Sequence, residues 1–135
     1  MSVQLSTAIR NAMLDAIEDT VGTSAILEIR SGAQPANCAA ADSGTLLASM
    51  SLASDWMSNA SSGAKDKLGT WSDSSANNTG TAAHFRIKDS SGTTCGLQGS
   101  VTATGGGGDL TLDNTSIASG QGVTITAFTL NMPGA

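Results

Sequence analysis

The stretch VTATGGGGDLTLDN, residues 101–114, contains four consecutive glycines, Gly105 to Gly108, followed by Asp109. A glycine-rich loop binds phosphate when a lysine and a serine or threonine follow it, or when its glycines are spaced G-x-G-x-x-G, and in both cases it leads into a helix. Here an aspartate, which would repel phosphate, and a strand-like segment follow instead. The sequence therefore argues against a nucleotide-binding loop.

Calcium is a second ligand to consider for this loop. Calcium-binding glycine repeats carry G-G-x-G-x-D, but Leu110 occupies the position where that aspartate is expected. Asp109, Asp113 and Asn114 could supply oxygen ligands, yet the repeat occurs once and imperfectly. We expect instead a flexible turn between antiparallel strands, in which glycine supplies a positive φ. No cofactor and no metal are predicted.

Side chains that could perform catalysis are sparse. His84, the lone histidine, shares a face of AAHFRIK with Arg86 and Lys88, which predicts a surface or cross-strand residue rather than a general base. Cys38 and Cys95 are expected to be buried as small hydrophobic residues, with a disulfide as the alternative. A nucleophile pair of Cys38 and His84 stays open in principle. The carboxylates are scattered and no G-x-S-x-G elbow occurs, so we do not expect an enzyme.

The composition limits the classes of partner. A net charge of −5 with six dispersed basic residues disfavours binding to nucleic acid, which requires phosphate neutralisation. No segment has the 18 or so apolar residues of a membrane span, and MSVQLSTAIRNAM lacks the basic flank and long apolar core of a secretory signal. The sequence therefore predicts a protein made in the cytoplasm that binds neither nucleic acid nor a membrane.

The N-terminal segment LSTAIRNAMLDAIEDTV predicts an amphipathic helix over residues 5–21. Ser6 or Thr7 can cap it, and Gly22 can end it. Its acidic residues come late and oppose the helix dipole, so packing of the apolar stripe must stabilise it. We expect the stripe to cover its own β-domain, with docking on another subunit as the alternative. The stripe consists of Leu5, Ile9, Ala12, Met13, Ala16, Ile17 and Val21.

After the helix the hydrophobic pattern changes to the period of two that is typical of strands. The region from 58 to 81 lacks this alternation and predicts a long polar excursion anchored by Leu68 and Trp71. The chain thus predicts a single domain, with a helix in residues 1–22 and a mainly β, antiparallel β-sandwich in residues 23–135. Its expected strands cover residues 25–30, 45–52, 82–88, 93–104, 109–112 and 123–132, and the fourth forms a hairpin with the third.

Two tryptophans are the largest apolar side chains in a chain with no tyrosine and two phenylalanines. Packing in the core or under a loop is the main expectation for both, and a place in a binding interface is the alternative, since tryptophan often dominates binding energy. The candidate interface residues are Trp56, Trp71, Leu68, Met13 and Ile17.

Two long segments, PANCAAADSGTLLASMSLASDWM and GTAAHFRIKDSSGTTCGLQGSVTATGGGGDLTLDNTSI, resemble small virion proteins of tailed bacteriophages, most of all capsid decoration or cementing proteins. The resemblance covers nearly the whole chain. It implies a non-enzymatic β-sandwich or jelly roll on the exterior of an icosahedral shell, where a homodimer binds the major capsid protein and bridges capsomers. The alternatives are a tail, head-to-tail connector or host-binding subunit of the virion, and an enzyme acting on a cell-surface polymer.

Overall fold

The computed structural model describes residues 3–135, which form one helix followed by short strands. The helix α1 covers Thr7–Val21. The strands are β1 Ile26–Arg30, β2 Leu46–Ser51, β3 Ala64–Asp66, β4 Trp71–Asp73, β5 Gly80–Thr81, β6 His84–Lys88, β7 Cys95–Ala103, β8 Leu110–Leu112, β9 Ser116–Ile117, β10 Val123–Ile125 and β11 Thr129–Asn131.

The ends of α1 lie where its capping residues predict them. The Ser6 side chain accepts a hydrogen bond from the backbone N–H of Ile9, which satisfies one of the free donors of the first turn. Gly22 ends the helix with a φ of 96°, and its N–H donates to the carbonyl of Glu18. The predicted helix, its cap at Ser6 and its end at Gly22 are confirmed, although the helix begins at Thr7 rather than at Leu5.

A five-stranded sheet in the order β2-β1-β6-β7-β8 forms the larger layer, and its β6–β7 hairpin is the one that the sequence predicts. Leu27 and Ile29 of β1 and Phe85 and Ile87 of β6 lie on its core face. Three two-stranded ladders, β10–β4, β11–β3 and β5–β9, contribute residues to the same hydrophobic core. The predicted fold class, a mainly β, antiparallel-rich sandwich with one N-terminal helix, is confirmed.

Both tryptophans lie in the centre of this core and are fully buried. The ring centroid of Trp71 lies 6.1 Å from that of Trp56 and 5.5 Å from that of Phe128, and Phe85 makes an edge-to-face contact with Phe128. The indole N–H of Trp56 donates to the carbonyl of Gly22 at 2.9 Å. The interface alternative is therefore wrong for Trp56 and Trp71, because neither has surface to offer a partner.

The region from 58 to 81 is not the polar excursion that the sequence predicts, since it contains β3, β4 and β5. The expected last strand over 123–132 is instead two strands, β10 and β11, which pair with β4 and β3. The strands β3 and β4 are short and their partners lie far along the chain, so no local alternation marks them. Leu68, on the loop between β3 and β4, is 41% exposed.

The glycine run joins two parallel strands, not the antiparallel pair that the sequence predicts: Val101 of β7 pairs with Leu110 of β8. Parallel strands normally need a connection of a dozen residues or more. Here Gly105 and Gly107 adopt positive φ angles of 87° and 82°, and a Cβ at Gly108 would lie 2.8 Å from the backbone N of Thr102. Only glycine permits so tight a return of the chain.

Replacement of Trp71 by alanine tests its place in the core. We expect Trp71→Ala to lower the free energy of unfolding by about 3–5 kcal/mol, because it removes buried surface and leaves a cavity. Urea denaturation followed by circular dichroism measures the loss. Leu68→Ala, three positions away and exposed, is the control and should cost about 0.5 kcal/mol or less. Similar losses for the two variants would contradict the core position of Trp71.

Candidate functional site

The helix α1 attaches to the β-domain by its polar face. One oxygen of the Glu18 carboxylate accepts hydrogen bonds from the backbone N–H groups of Trp56 and Met57, at 3.1 and 2.9 Å. Two turns earlier, the Asn11 side chain accepts from the N–H of Gly63 at 2.9 Å. The segment under the helix therefore presents backbone donors, and polar side chains of α1 satisfy them.

Lys65 on β3 is the charged centre of this contact and is only 2% exposed. Its ammonium group lies 2.7 Å from Asp15 Oδ1 and 3.0 Å from Glu18 Oε1, and it donates to the carbonyl of Ser58 at 2.8 Å. Burial by itself would lower the pKa of Lys65, but the hydrogen bonds to the two carboxylates outweigh it and raise the pKa. The hydrogen bond from Lys65 likewise lowers the pKa of Asp15. All three groups are charged near neutral pH.

The apolar stripe of α1 consequently faces outward. Among the described residues of α1, only Leu14 is fully buried. Ile9 is 51% exposed and Met13 42% exposed, while Ile17 is half-buried. The expectation that the stripe covers its own β-domain holds only at Val21, which packs against the core. It is wrong for the exposed residues Ile9 and Met13, because the domain offers a lysine and backbone N–H groups beneath α1 rather than an apolar surface.

An open groove runs between α1 and the start of β7, with a volume of about 570 Å³. Val21 closes one end against Gly96, where a Cβ would collide with the valine side chain, so the glycine permits the helix and β7 to approach. Ile9, Met13, Ile17 and Val21 follow one another at a spacing of four residues, so the helical stripe continues from the groove along α1. The groove is lined by Met13, Ala16, Ile17, Thr20, Val21, Asp89, Thr94, Cys95 and Gly96.

Of the five candidate interface residues, only Met13 and Ile17 line this groove. Leu68 is exposed on a different loop and does not line it. The sequence analysis missed the anchoring residues Asp15, Glu18 and Lys65. The position of Asp15 and Glu18 in the last turns of the helix was the available signal. Carboxylates there oppose the helix dipole, so a nearby cation is expected to compensate them.

A second polar cluster lies on the outer face of the large sheet, beneath the β1–β2 loop (residues 31–45). Asp42 in this loop accepts from the side chains of Arg86 and Lys88, each at 2.6 Å, and from Arg30 at 3.1 Å. Lys88 and Arg30 also pair with Glu28, each at 3.0 Å. This face of the sheet is therefore covered by a loop, although its polar residues predict a face open to solvent.

The β1–β2 loop is also held by its backbone. Arg86 donates to the carbonyls of Asn37 and Cys38 at 3.2 and 3.0 Å, and Gln98 donates to the carbonyl of Pro35 at 2.8 Å. Partial burial of Asp42 would raise its pKa, but hydrogen bonds from Lys88 and Arg86 lower it to about 2. The loop is thus fixed to the sheet by charge-assisted hydrogen bonds.

His84 lies under the same loop and is fully buried, so its expected surface position is wrong, although it does lie on a strand opposite Ser100. Its Nδ1 is 2.9 Å from the carbonyl of Gly32. Cys38 lies 3.0 Å from Cys95, sulfur to sulfur, and both thiols are free and half-buried. Within residues 3–135 no group of three or more His, Cys, Asp and Glu side chains is arranged to hold a metal ion.

Comparison of the chain with protein-family models, with curated proteins and with solved structures finds no match. In the part of the chain that the structure describes, no helix has the length and hydropathy required to cross a membrane. The two main features of the candidate site are the outward-facing apolar stripe of α1 and the buried ion cluster around Lys65 that fixes this helix.

Removal of one carboxylate tests the attachment of α1. We expect Glu18→Ala to lower the free energy of unfolding by about 2–4 kcal/mol, because it leaves two backbone donors without an acceptor and removes one of the two carboxylates that compensate the buried charge of Lys65. Asp19→Ala is a matched control on the next residue, which is exposed and should change stability by about 0.5 kcal/mol or less. Urea denaturation measures both. Equal losses would show that Glu18 does not anchor the helix.

The lowered pKa of Asp42 predicts a pH dependence of stability. Because its pKa of about 2 in the folded chain lies below the ordinary value of 3.8, the stabilisation is complete above about pH 5 and is lost as the pH falls toward 2. We expect Asp42→Asn to be less stable at neutral pH and to lose less further stability on acidification than the wild type. Urea denaturation at a series of pH values measures this, with the exposed Asp113→Asn as control. If the free energy of unfolding fell equally with pH in Asp42→Asn and in the wild type, the lowered pKa assigned to Asp42 would be contradicted.

Proposed function

We propose that this chain is a non-enzymatic structural protein of a tailed-phage virion, which binds the outer surface of the capsid shell and cements neighbouring capsomers. The observation that carries the proposal is the orientation of α1. The polar face of α1 contacts Lys65 and backbone N–H donors of the β-domain. Its apolar stripe, in which Ile9 and Met13 are about half exposed, remains available to a partner. The resemblance to phage decoration and cementing proteins supports the identity of that partner as the major capsid protein.

The shape of the surface supports a protein partner. Large apolar side chains in a contiguous exposed patch typically mark a protein interaction site. A helical stripe with residues four positions apart fits the common mode in which apolar helix residues insert into a complementary surface. Methionine at its centre suits such a contact, because its flexible thioether adapts to an irregular partner surface.

The rigidity of the surface also favours binding. The ions beneath α1 hold it against the β-domain before any partner arrives. A partner that docks on the stripe then has little conformational entropy to remove, so more of the interaction energy contributes to affinity. Repetition of one such contact at every capsomer junction would stabilise the shell by mass action.

Several observations support a role without catalysis and without nucleic acid. The imidazole of His84 is buried and contacts a backbone carbonyl. Burial and a hydrogen bond to Cys38 raise the pKa of Cys95 to about 11, which disfavours the thiolate that a nucleophile needs. Four of the six basic residues pair with carboxylates inside the structure, which leaves little positive charge for phosphates. These four are Arg30, Lys65, Arg86 and Lys88.

The number of copies in the particle tests the role. We expect quantitative mass spectrometry of purified virions to find about one copy of this chain per shell subunit, because icosahedral symmetry repeats the binding site with the shell protein. A handful of copies per particle would overturn the cementing role and favour a tail, connector or host-binding subunit. Absence from virions, together with hydrolysis of a cell-surface polymer, would favour an enzyme.

A charge placed on the stripe tests the contact surface. We expect Met13→Lys to weaken binding to capsids that lack this protein by about 10- to 100-fold, because the substitution buries a charge in an apolar interface. Leu68→Lys is the matched control, since Leu68 is exposed to the same extent as Met13 but lies outside the groove. Co-sedimentation with capsids measures the affinity, and unchanged thermal unfolding shows that both variants fold.

Two outcomes of this test would contradict the assignment of the surface. Equal losses for Met13→Lys and Leu68→Lys would place the shell contact elsewhere. A change from dimer to monomer on Met13→Lys, with capsid binding by the monomer unchanged, would make the stripe the contact between two copies of this chain. Light scattering of the isolated protein measures the oligomeric state and so also tests the homodimer that the resemblance to cementing proteins implies.

A further inference from the structure

The two cysteines of the chain meet at the edge of the β1–β2 loop. Cys38 lies in the loop and Cys95 begins β7, 57 positions later, yet their sulfur atoms are 3.0 Å apart. This is about 1 Å longer than a disulfide bond of about 2.05 Å. The two thiols are free, and Cys95 donates its weak hydrogen bond to Cys38.

The surrounding structure holds this pair in place. Arg86, itself fully buried, donates to the backbone carbonyl of Cys38 at 3.0 Å and to Asp42 in the same loop at 2.6 Å. Cys95 is fixed from the other side, because it pairs with Lys88 in the β6–β7 hairpin. The thiols are therefore close as a result of an ordered loop contact, so little backbone movement is needed to join them.

Reagents can also reach the pair. Both cysteines are half-buried rather than enclosed, and Cys95 lines the open groove beside α1. Burial of the Cys95 thiol and its hydrogen bond to Cys38 raise its pKa to about 11. Because the thiolate is the reactive form, thiol exchange at this site accelerates as the pH rises.

We propose that Cys38 and Cys95 are an oxidation site, at which a low-molecular-weight disulfide such as oxidised glutathione converts the two thiols into one intramolecular disulfide. A thiolate of the protein attacks one sulfur of the oxidant and displaces a glutathione thiolate, which takes up a proton. The second protein thiolate then attacks the protein sulfur of the mixed disulfide and displaces the second glutathione. One disulfide bond is broken and one is formed, and the two hydrogens lost by the protein are gained by glutathione.

The crosslink would fasten the β1–β2 loop to β7 in the position that it already occupies. It closes a long segment of chain, and a disulfide that closes a long segment removes much of the entropy of the unfolded state. The oxidised chain is therefore more stable than the reduced chain, without a change of fold. This proposal does not depend on the proposed function, because it concerns the isolated chain.

The experiment treats the reduced, folded full-length protein with oxidised glutathione at about pH 8, where exchange is practical. We expect the intact mass to fall by two hydrogens with no attached glutathione, and the protein to stay free of intermolecular crosslinks. With only two cysteines present, this internal bond joins Cys38 to Cys95. The melting temperature should rise by roughly 5–15 °C and return to its original value on reduction.

Cys38→Ser and Cys95→Ser serve as paired controls, because each retains one thiol and cannot form the internal bond. Their melting temperatures should not rise on the same treatment. Stable glutathione adducts on the wild-type protein, intermolecular dimers, or thiols that pair only after denaturation would overturn the proposal. An internal disulfide that leaves the melting temperature unchanged or lowers it would overturn the claim that the crosslink fits the native loop position.

Discussion

The buried ammonium group of Lys65 is the constraint on which the arrangement of the helix depends. A lysine has three N–H donors, and here they point at three acceptors: Asp15, Glu18 and the carbonyl of Ser58. Burial of an ion without such partners would cost several kcal/mol. The carboxylates that satisfy Lys65 both belong to α1, so the helix must turn its polar face inward. The outward direction of the apolar stripe follows from this one requirement.

Buried charges also explain why the outer face of the large sheet is covered by a loop. Arg86 and Lys88 on the outer face of the large sheet pair with Asp42 of the β1–β2 loop, and Lys88 also pairs with Glu28 of the sheet itself. A sheet face that carries polar residues is here covered, and a helix face that carries apolar residues is open. Composition of a face therefore does not decide its exposure in this protein, because ion pairs compensate the burial of charge on both sides.

Much of the fold could be predicted from local patterns in the sequence. The cap at Ser6, the stop at Gly22, the alternation in β1 and β6 and the β6–β7 hairpin are all encoded by neighbouring residues. The short strands β3 and β4 are not, because each is stabilised by a partner about 50 or more residues away, whereas β10 and β11 lie within the single strand that the sequence predicts over 123–132. The parallel pairing of β8 was missed for a related reason, since a tight glycine turn ordinarily joins antiparallel strands.

The candidate site was predicted only in part. Met13 and Ile17 lie in the groove as their helical spacing allows. The direction of the stripe could not be read from the helix alone, because it depends on Lys65, which the sequence places in a region without recognisable elements. The burial of Trp56 and Trp71 agrees with their expected packing role, and it removes the two largest candidates from the interface.

The pairing of β3 with β11 also has a consequence for the order of events during synthesis. The segment that receives α1 is completed by residues near the far end of the chain, through Thr129–Asn131 and the bond from the N–H of Met132 to the carbonyl of Gly63. Contacts of such wide sequence separation form slowly, because closing a long loop is entropically costly. The helix leaves the ribosome ahead of the strands, yet its docking surface is completed only after β11 has been made.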